Sequence, residues 1–201
     1  MPSVVIFDIG NVLFDWNPRF LYERLIDDDR ALDAFLRDVA TKDWHFQHDA
    51  GRPFAETSAE LAALHPQHAD LIAAWGPRFN EQLGDMLSGM RALVDDLHAR
   101  GVPLYAITNF SGEFWPPFRD REAALFDRFR GIVVSGDEDL TKPDPVIYRL
   151  ALERFGIAAE DAVFVDDRAD NVAAADAVGI RGLLFTDAEA LRADLAQLEL
   201  L

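Results

Sequence analysis

The fold class this sequence predicts is α/β, a doubly wound parallel sheet, and three observations predict it. Short apolar runs rich in β-branched residues recur along the chain. Segments with apolar residues at helical spacing separate the later runs. Polar residues able to do chemistry stand at or just beyond the ends of those runs. Near-continuous apolar strands belong to a parallel sheet covered on both faces, and strands that alternate with helices build one.

The first run, residues 4–7, is Val-Val-Ile-Phe; it ends at Asp8 and is followed by Gly10-Asn11, so it reads as a buried strand and a turn. Similar strands are predicted over 102–107, 132–134, 162–165 and 182–185. Leu87, Met90, Val94 and Leu97 recur at helical spacing, and Gly101 supplies a stop. Asp144 and Pro145 offer an N-cap and a first-turn proline for a helix reaching Gly156. A helix over 169–178 stops at Gly179, and Thr186 with Glu189 has capping-box spacing for the last helix.

Residues 16–86 break this rhythm and contain no convincing strand. Leu21, Leu25, Leu32, Phe35, Leu36 and Val39 predict amphipathic helices, as do Leu61, Leu64, Leu71 and Ile72. The organisation expected is a core of residues 1–15 and 87–201 interrupted by a helical insert over 16–86. No internal repeat is evident.

Composition narrows the function. The 201 residues are 50% hydrophobic, enough for a sizeable core. Nineteen Lys and Arg against 36 Asp and Glu give a net charge of −17. Such a field disfavours nucleic acid and anionic membrane surfaces. An anionic substrate would then need local positive charge at its site. With no cysteine, disulfides, thiolate catalysis and Cys-ligated metals are excluded. The first residues carry no basic stretch, and no apolar run approaches a membrane span. The expectation is a cytoplasmic protein, monomer or homodimer, whose partner is a small molecule.

Four polar groups lie where a doubly wound sheet binds ligands, beyond the carboxyl ends of its strands. Asp8 follows the first strand, Thr108-Asn109 the second, Lys142 lies in the loop after the third, and Asp166-Asp167 follow the fourth. Their chemistry is coherent. A carboxylate can attack phosphorus or carbon and form a covalent intermediate. Carboxylates from two strands can hold Mg2+, which screens the repulsion between the attacking group and an anionic phosphate. A Thr hydroxyl, backbone N–H groups and a Lys ammonium can stabilise the charge on transferring oxygens.

At this point the chain resembles the haloacid dehalogenase superfamily. The matching segments are Phe7-Asp8-Ile9-Gly10-Asn11-Val12, Ile107-Thr108-Asn109, Lys142-Pro143 and Phe164-Val165-Asp166-Asp167, in the family's order. The first of these, with Phe114-Trp115-Pro116, His45-Phe46-Gln47-His48 and the run from Asp166 to Asn171, is similar to the bacterial glucose-1-phosphate phosphatase branch. The resemblance implies a Rossmann-like core with a helical cap inserted after the first motif. It implies a hydrolase of phosphate monoesters in which Asp8 is nucleophile and metal ligand. Gly10 would lend its carbonyl to Mg2+, and Asp166 would be the other protein ligand. Thr108, Asn109 and Lys142 would hold the phosphoryl group. Asp167 would act through a metal-bound water or by orienting Lys142.

One departure matters. Most phosphatases of the superfamily carry a second Asp two residues after the nucleophile, as leaving-group acid and water base; here that position is Gly10. Such help is worth about 10²–10⁴ in rate. Either another group supplies that help, the leaving group needs little of it, or phosphatase activity is weak; the second case favours an anomeric sugar phosphate or an aryl phosphate as substrate. Dehalogenases of the superfamily also lack that Asp, which makes a metal-free 2-haloacid dehalogenase the alternative. The acidic pair Asp166-Asp167 opposes it, since without a metal it sets negative charge beside a carboxylate nucleophile. No counterpart of a halide-binding arginine stands out; Arg19, Arg24 and Arg37 qualify by location alone. A weakly active or non-catalytic binding protein is a further alternative, supported by Gly10. A signalling receiver domain would have its acidic pair early and its acceptor Asp later, the reverse of the order here.

Other residues have plainer readings. His45, His48, His65 and His68 form two pairs, each spaced by three, but lack an obvious carboxylate partner for a metal site. His48 is read as either facing the site from the insert or lying on the surface. Trp44, Phe46 and Trp115 read as packing residues, whereas Trp16, which opens the insert, is a candidate substrate-binding residue. Asp27-Asp28-Asp29 reads as a solvated loop. Asn171 is expected to orient other site groups.

Overall fold

The computed structural model describes residues 1–201. Five parallel strands form one sheet, β1 (Val4–Phe7), β4 (Leu104–Thr108), β5 (Phe129–Val134), β6 (Ala162–Asp166) and β7 (Arg181–Leu184), in the order β5-β4-β1-β6-β7. β1 lies at the centre, pairing with β4 on one side and β6 on the other. The chain reverses its direction of winding there, so the carboxyl ends of β1, β4 and β6 open onto one crevice. The remaining two strands, β2 (Phe14–Trp16) and β3 (Leu83–Met86), make an antiparallel ribbon.

The helices follow the sheet's two faces. Residues 19–74 hold α1 (Arg19–Tyr22), α2 (Asp29–Asp38), α3 (Lys42–Asp49), α4 (Phe54–Leu64) and α5 (Ala69–Ala74). α6 (Met90–Ala99), α7 (Trp115–Arg121), α8 (Ala123–Phe126) and α9 (Ser135–Glu138) come next. α10 (Pro145–Phe155), α11 (Ala169–Ala177) and α12 (Ala188–Gln197) complete the chain. A smaller buried cluster joins Ile6, Ile107 and Phe164 to Tyr148 of α10 and Ala175 of α11. The larger cluster joins Val5, Phe7 and Val163 to Leu93 of α6 and Leu195 of α12. It runs without a break into Tyr22, Phe35, Trp44, Ile72 and Trp75 of the helical insert, so the insert shares the core of one sheet face.

Local chemistry sets the boundaries. Asp144 caps α10 by accepting from the Val146 N–H at 2.8 Å, and Gly156 ends it in a left-handed conformation. Asp28 caps α2 in the same way, so the acidic run is an exposed loop at Asp27 and Asp28 whose last residue, Asp29, opens the helix. Two expectations are corrected. The last helix is capped by Asp187, not Thr186: the Asp187 carboxylate accepts from the N–H groups of Glu189 and Ala190, both at 2.9 Å. The reading of residues 16–86 as free of strands fails at both ends, where Trp16 closes β2 and Leu83–Met86 is β3. Asn11, in a left-handed conformation, turns the chain into this ribbon; its carboxamide oxygen accepts the Trp16 N–H at 3.1 Å.

Candidate active site

The carboxyl end of β1 fixes Asp8. Its backbone N–H donates to the Val165 carbonyl of β6 at 2.8 Å, and its Oδ1 accepts the Ile9 N–H at 2.7 Å. Lys142 reaches it from the loop between α9 and α10. The ammonium lies 2.8 Å from Asp8 and 2.7 Å from Asp166, and the lysine is only 1% exposed. A buried lysine is rare unless paired, and this one is paired twice. Asn109 positions it: the Asn109 oxygen accepts the Lys142 N–H at 2.8 Å, and its amide donates to the Lys142 carbonyl at 3.0 Å. Both ends of the Asn109 side chain are thus used on Lys142's own peptide groups.

Asp166, wholly buried, accepts from Lys142, from the Arg168 N–H at 2.9 Å and from the Asn171 amide at 3.0 and 3.1 Å. Asp167 is half-buried beside it. Asp8, Asp166 and Asp167 each bring an oxygen within 4.8 Å of the others. These three carboxylates face one ammonium, an all-oxygen donor set with negative charge left over, which fits a hard divalent cation such as Mg2+.

The electrostatics follow from burial and that shared ammonium. Burial pushes the Asp8 carboxyl up to about 7; Lys142 opposes the shift and Asp166 adds to it. Burial works against the Lys142 ammonium, but Asp8 and Asp166 outweigh it and hold the group above its ordinary value. Asp167 is raised by burial and by its neighbour Asp166.

A cavity of about 520 Å³ opens over these groups. Asp8, Gly10, Asn109, Lys142, Asp167, Asn171 and Trp16 line it. Thr108, at the end of β4, and Asp166 are both buried and stand behind the lining. Nine positions singled out in the sequence are therefore gathered at one sheet edge, seven on the cavity wall and two behind it.

The insert supplies a wall that sequence reasoning missed. His45, Phe46 and Asp49 of α3 line the same cavity. The possible surface placement of His48 is corrected: it is 1% exposed, its Nε2 lies 2.6 Å from the Thr57 hydroxyl, and α4 and Phe114 cover it. His45 is buried too, stacked between Trp16 at 4.9 Å and Phe79 at 5.5 Å. Burial drops His45 to about 3, helped by His48, and His48 to about 4, helped by Arg52. His45 and Asp49 are four residues apart on one helix face, a spacing visible in the sequence.

Residues 2–179 match the model of the haloacid dehalogenase-like hydrolases. The chain belongs to that family. It is 29% identical to a sesquiterpene phosphatase, astK, of Aspergillus oryzae, over 98% of this chain and 96% of that one. Its fold matches a predicted hydrolase of the family from Porphyromonas gingivalis with a TM-score of 0.73, at 19% identity over 99% and 98% of the two chains. It also matches a family enzyme from Bacteroides thetaiotaomicron, solved in complex with magnesium and inorganic phosphate, with a TM-score of 0.69, at 20% identity over 93% and 96%. The protein is a hydrolase of this family with phosphatase relatives, and no helix is long and apolar enough to cross a membrane.

Proposed function

We propose that the protein is a Mg2+-dependent phosphatase that cleaves a small phosphate monoester through an aspartyl-phosphate on Asp8. The observation that carries this reading is the placement of Lys142 between Asp8 and Asp166, with Asp167 adding a third carboxylate oxygen. A buried ammonium touching the nucleophile is what an anionic substrate needs in a chain of net charge −17. The phosphatase and the magnesium-phosphate complex among its relatives support the same reaction class.

In this reading an Asp8 oxygen attacks phosphorus, the bond to the leaving oxygen breaks, and water later cleaves the acyl phosphate to release phosphate and free Asp8. Lys142 balances charge on the phosphoryl oxygens. Thr108 completes the phosphoryl pocket from β4, and Asn109 contributes by holding the Lys142 loop. Asp8, the Gly10 carbonyl and Asp166 would hold Mg2+, with Asp167 and Asn171 supporting them. Bound there, the ion would screen the incoming phosphate from the carboxylates. Residues 16–86 act as the cap that selects substrate, with Trp16 on its wall. Glucose 1-phosphate, the substrate of the branch it resembles, heads the panel of esters to test.

The test is phosphate release from a panel of phosphorylated metabolites with and without Mg2+. Release requires the ion, and Asp8→Asn removes it by about four orders of magnitude or more. Metal-independent halide release from 2-haloacids would replace this reading with the dehalogenase one.

A further inference from the structure

The proton missing at position 10 has a source on the opposite wall. Asp49, the last residue of α3, is only 6% exposed yet lines the same cavity as Asp8. Its Oδ1 has no hydrogen-bond partner, and its Oδ2 lies 3.5 Å from His45 Nε2. A buried carboxyl oxygen without a partner costs about 1–3 kcal/mol, so its retention beside a reacting group calls for an explanation. Position 10 gives no reason of its own for glycine. Its φ is not left-handed, and a Cβ there would meet nothing nearer than the Trp16 Cβ at 3.9 Å, an ordinary contact.

We propose that Asp49 is the general acid and base of the phosphatase reaction, replacing from the cap the carboxyl absent at position 10. The inference rests on the phosphatase reading above. In the first step Asp8 bonds to phosphorus, the phosphorus–oxygen bond of the ester breaks, and the Asp49 carboxyl gives its proton to the departing oxygen to yield the alcohol. In the second, water bonds to phosphorus, its proton passes to the Asp49 carboxylate, and the bond to Asp8 breaks. The protein ends as it began, with alcohol and phosphate released.

The surroundings suit a carboxyl that starts protonated. Burial first, then the charge of Asp8, raises Asp49 well above the usual carboxylate range, against the pull of Lys142 and the Ser111 N–H. The group is also held in place. The buried Ser135 hydroxyl, at the end of β5, donates to the Asp49 carbonyl at 2.6 Å and so ties the end of α3 to the sheet. Gly51, left-handed just beyond, lies so close to Asp139 that a side chain there would collide with its carboxylate. Asp49 is therefore fixed by the sheet edge as well as by its own helix.

The test compares Asp49→Asn with the unaltered protein, in Mg2+, on an alkyl phosphate and on p-nitrophenyl phosphate. An alkoxide needs its proton, whereas nitrophenolate leaves without one. Turnover of the alkyl ester should fall about 10²- to 10⁴-fold, and formation of the phosphoenzyme from the nitrophenyl ester, followed by rapid quench, should change by less than about tenfold. Adding Gly10→Asp to Asp49→Asn should recover at least about tenfold on the alkyl ester. If Asp49→Asn fails to fold, Asp49→Ala carries the same comparison. Equal losses in both measurements, or no loss in either, overturn the assignment while leaving the phosphatase reading intact. An unaltered protein that releases no phosphate from any ester overturns both.

Discussion

The two walls of the cavity are built on opposite principles. On the sheet side the charged groups are tied to one another: Lys142 bridges Asp8 and Asp166, and Asp166 accepts from Arg168 and Asn171 as well. On the cap side, Trp16 Nε1, His45 Nδ1 and Asp49 Oδ1 are buried with no partner, as is His48 Nδ1 behind the wall, whereas Asn171 Oδ1 is such an atom on the sheet side. Buried polar groups are normally paired. The sheet side is therefore an assembled electrostatic device, while the cap side is an aromatic frame holding polar atoms in reserve. In the proposed reading, the contrast separates charge handling, which needs fixed ions, from recognition and proton transfer, which need groups left free for the substrate.

The largest stability effect should come from breaking the assembled wall. Lys142→Met leaves Asp8 and Asp166 buried without their shared counter-ion. Removing one partner of a buried pair costs about 3–5 kcal/mol, and denaturant unfolding in chelator should show a loss in that range. Mg2+ should recover part of it, because a divalent cation supplies the charge the lysine supplied. A loss below about 1 kcal/mol would mean that the three groups do not depend on one another in this way.

The same contrast explains what was legible in the sequence. Asp8, Thr108 and the Asp166-Asp167 pair were readable because they stand at the ends of apolar strands, and parallel strands deliver their ends to one edge; Lys142, in a loop further on, was readable from the Lys142-Pro143 match. The fold was readable from those same strands. The ribbon of β2 and β3 was not: its strands are three and four residues long and include Asp15, Gly84 and Asp85, residue types depleted in strands. Asp49 was missed because it lies on a helix of mixed polarity, Lys-Asp-Trp-His-Phe-Gln-His-Asp, where no apolar stripe marks an inner face. What ties its end of the helix to the sheet edge is the hydroxyl of Ser135, a partner 86 residues away. The i,i+4 spacing of His45 and Asp49 was the one local clue.

The cap wall should break with acid. His45 and His48 sit near 3 and 4 in the folded protein, against about 6.5 when unfolded. Between those values the unfolded chain binds more protons, so this contribution is complete above about pH 6.5 and is lost as pH falls. At pH 5 each histidine costs about 2 kcal/mol. Asp49, whose carboxyl is raised, works in the opposite direction, with its contribution present in acid and lost as pH rises. His48→Gln, which retains a polar group near Thr57, isolates one histidine. The difference in unfolding free energy between pH 7 and pH 5 should shrink by about 2 kcal/mol relative to the unaltered protein. An unchanged difference would show that His48 already titrates normally in the folded state.

The smallest effect should fall between the walls, at Gly10. Its backbone is not left-handed, and the nearest atom to an added Cβ is the Trp16 Cβ at 3.9 Å. Gly-to-Ala changes at conformationally compatible positions stabilise by about 0.4–1 kcal/mol, chiefly by restricting the unfolded chain. Gly10→Ala should therefore shift the unfolding free energy by less than about 1 kcal/mol, towards stability. A destabilisation above about 2 kcal/mol would mean that the turn into β2 closes this position to side chains. The proton donor's absence from the sheet side would then be imposed by packing. If Gly10→Ala is tolerated, position 10 is free to carry an acid, and the division of labour between the walls belongs to the chemistry, with the proton source placed on the cap beside the substrate it selects.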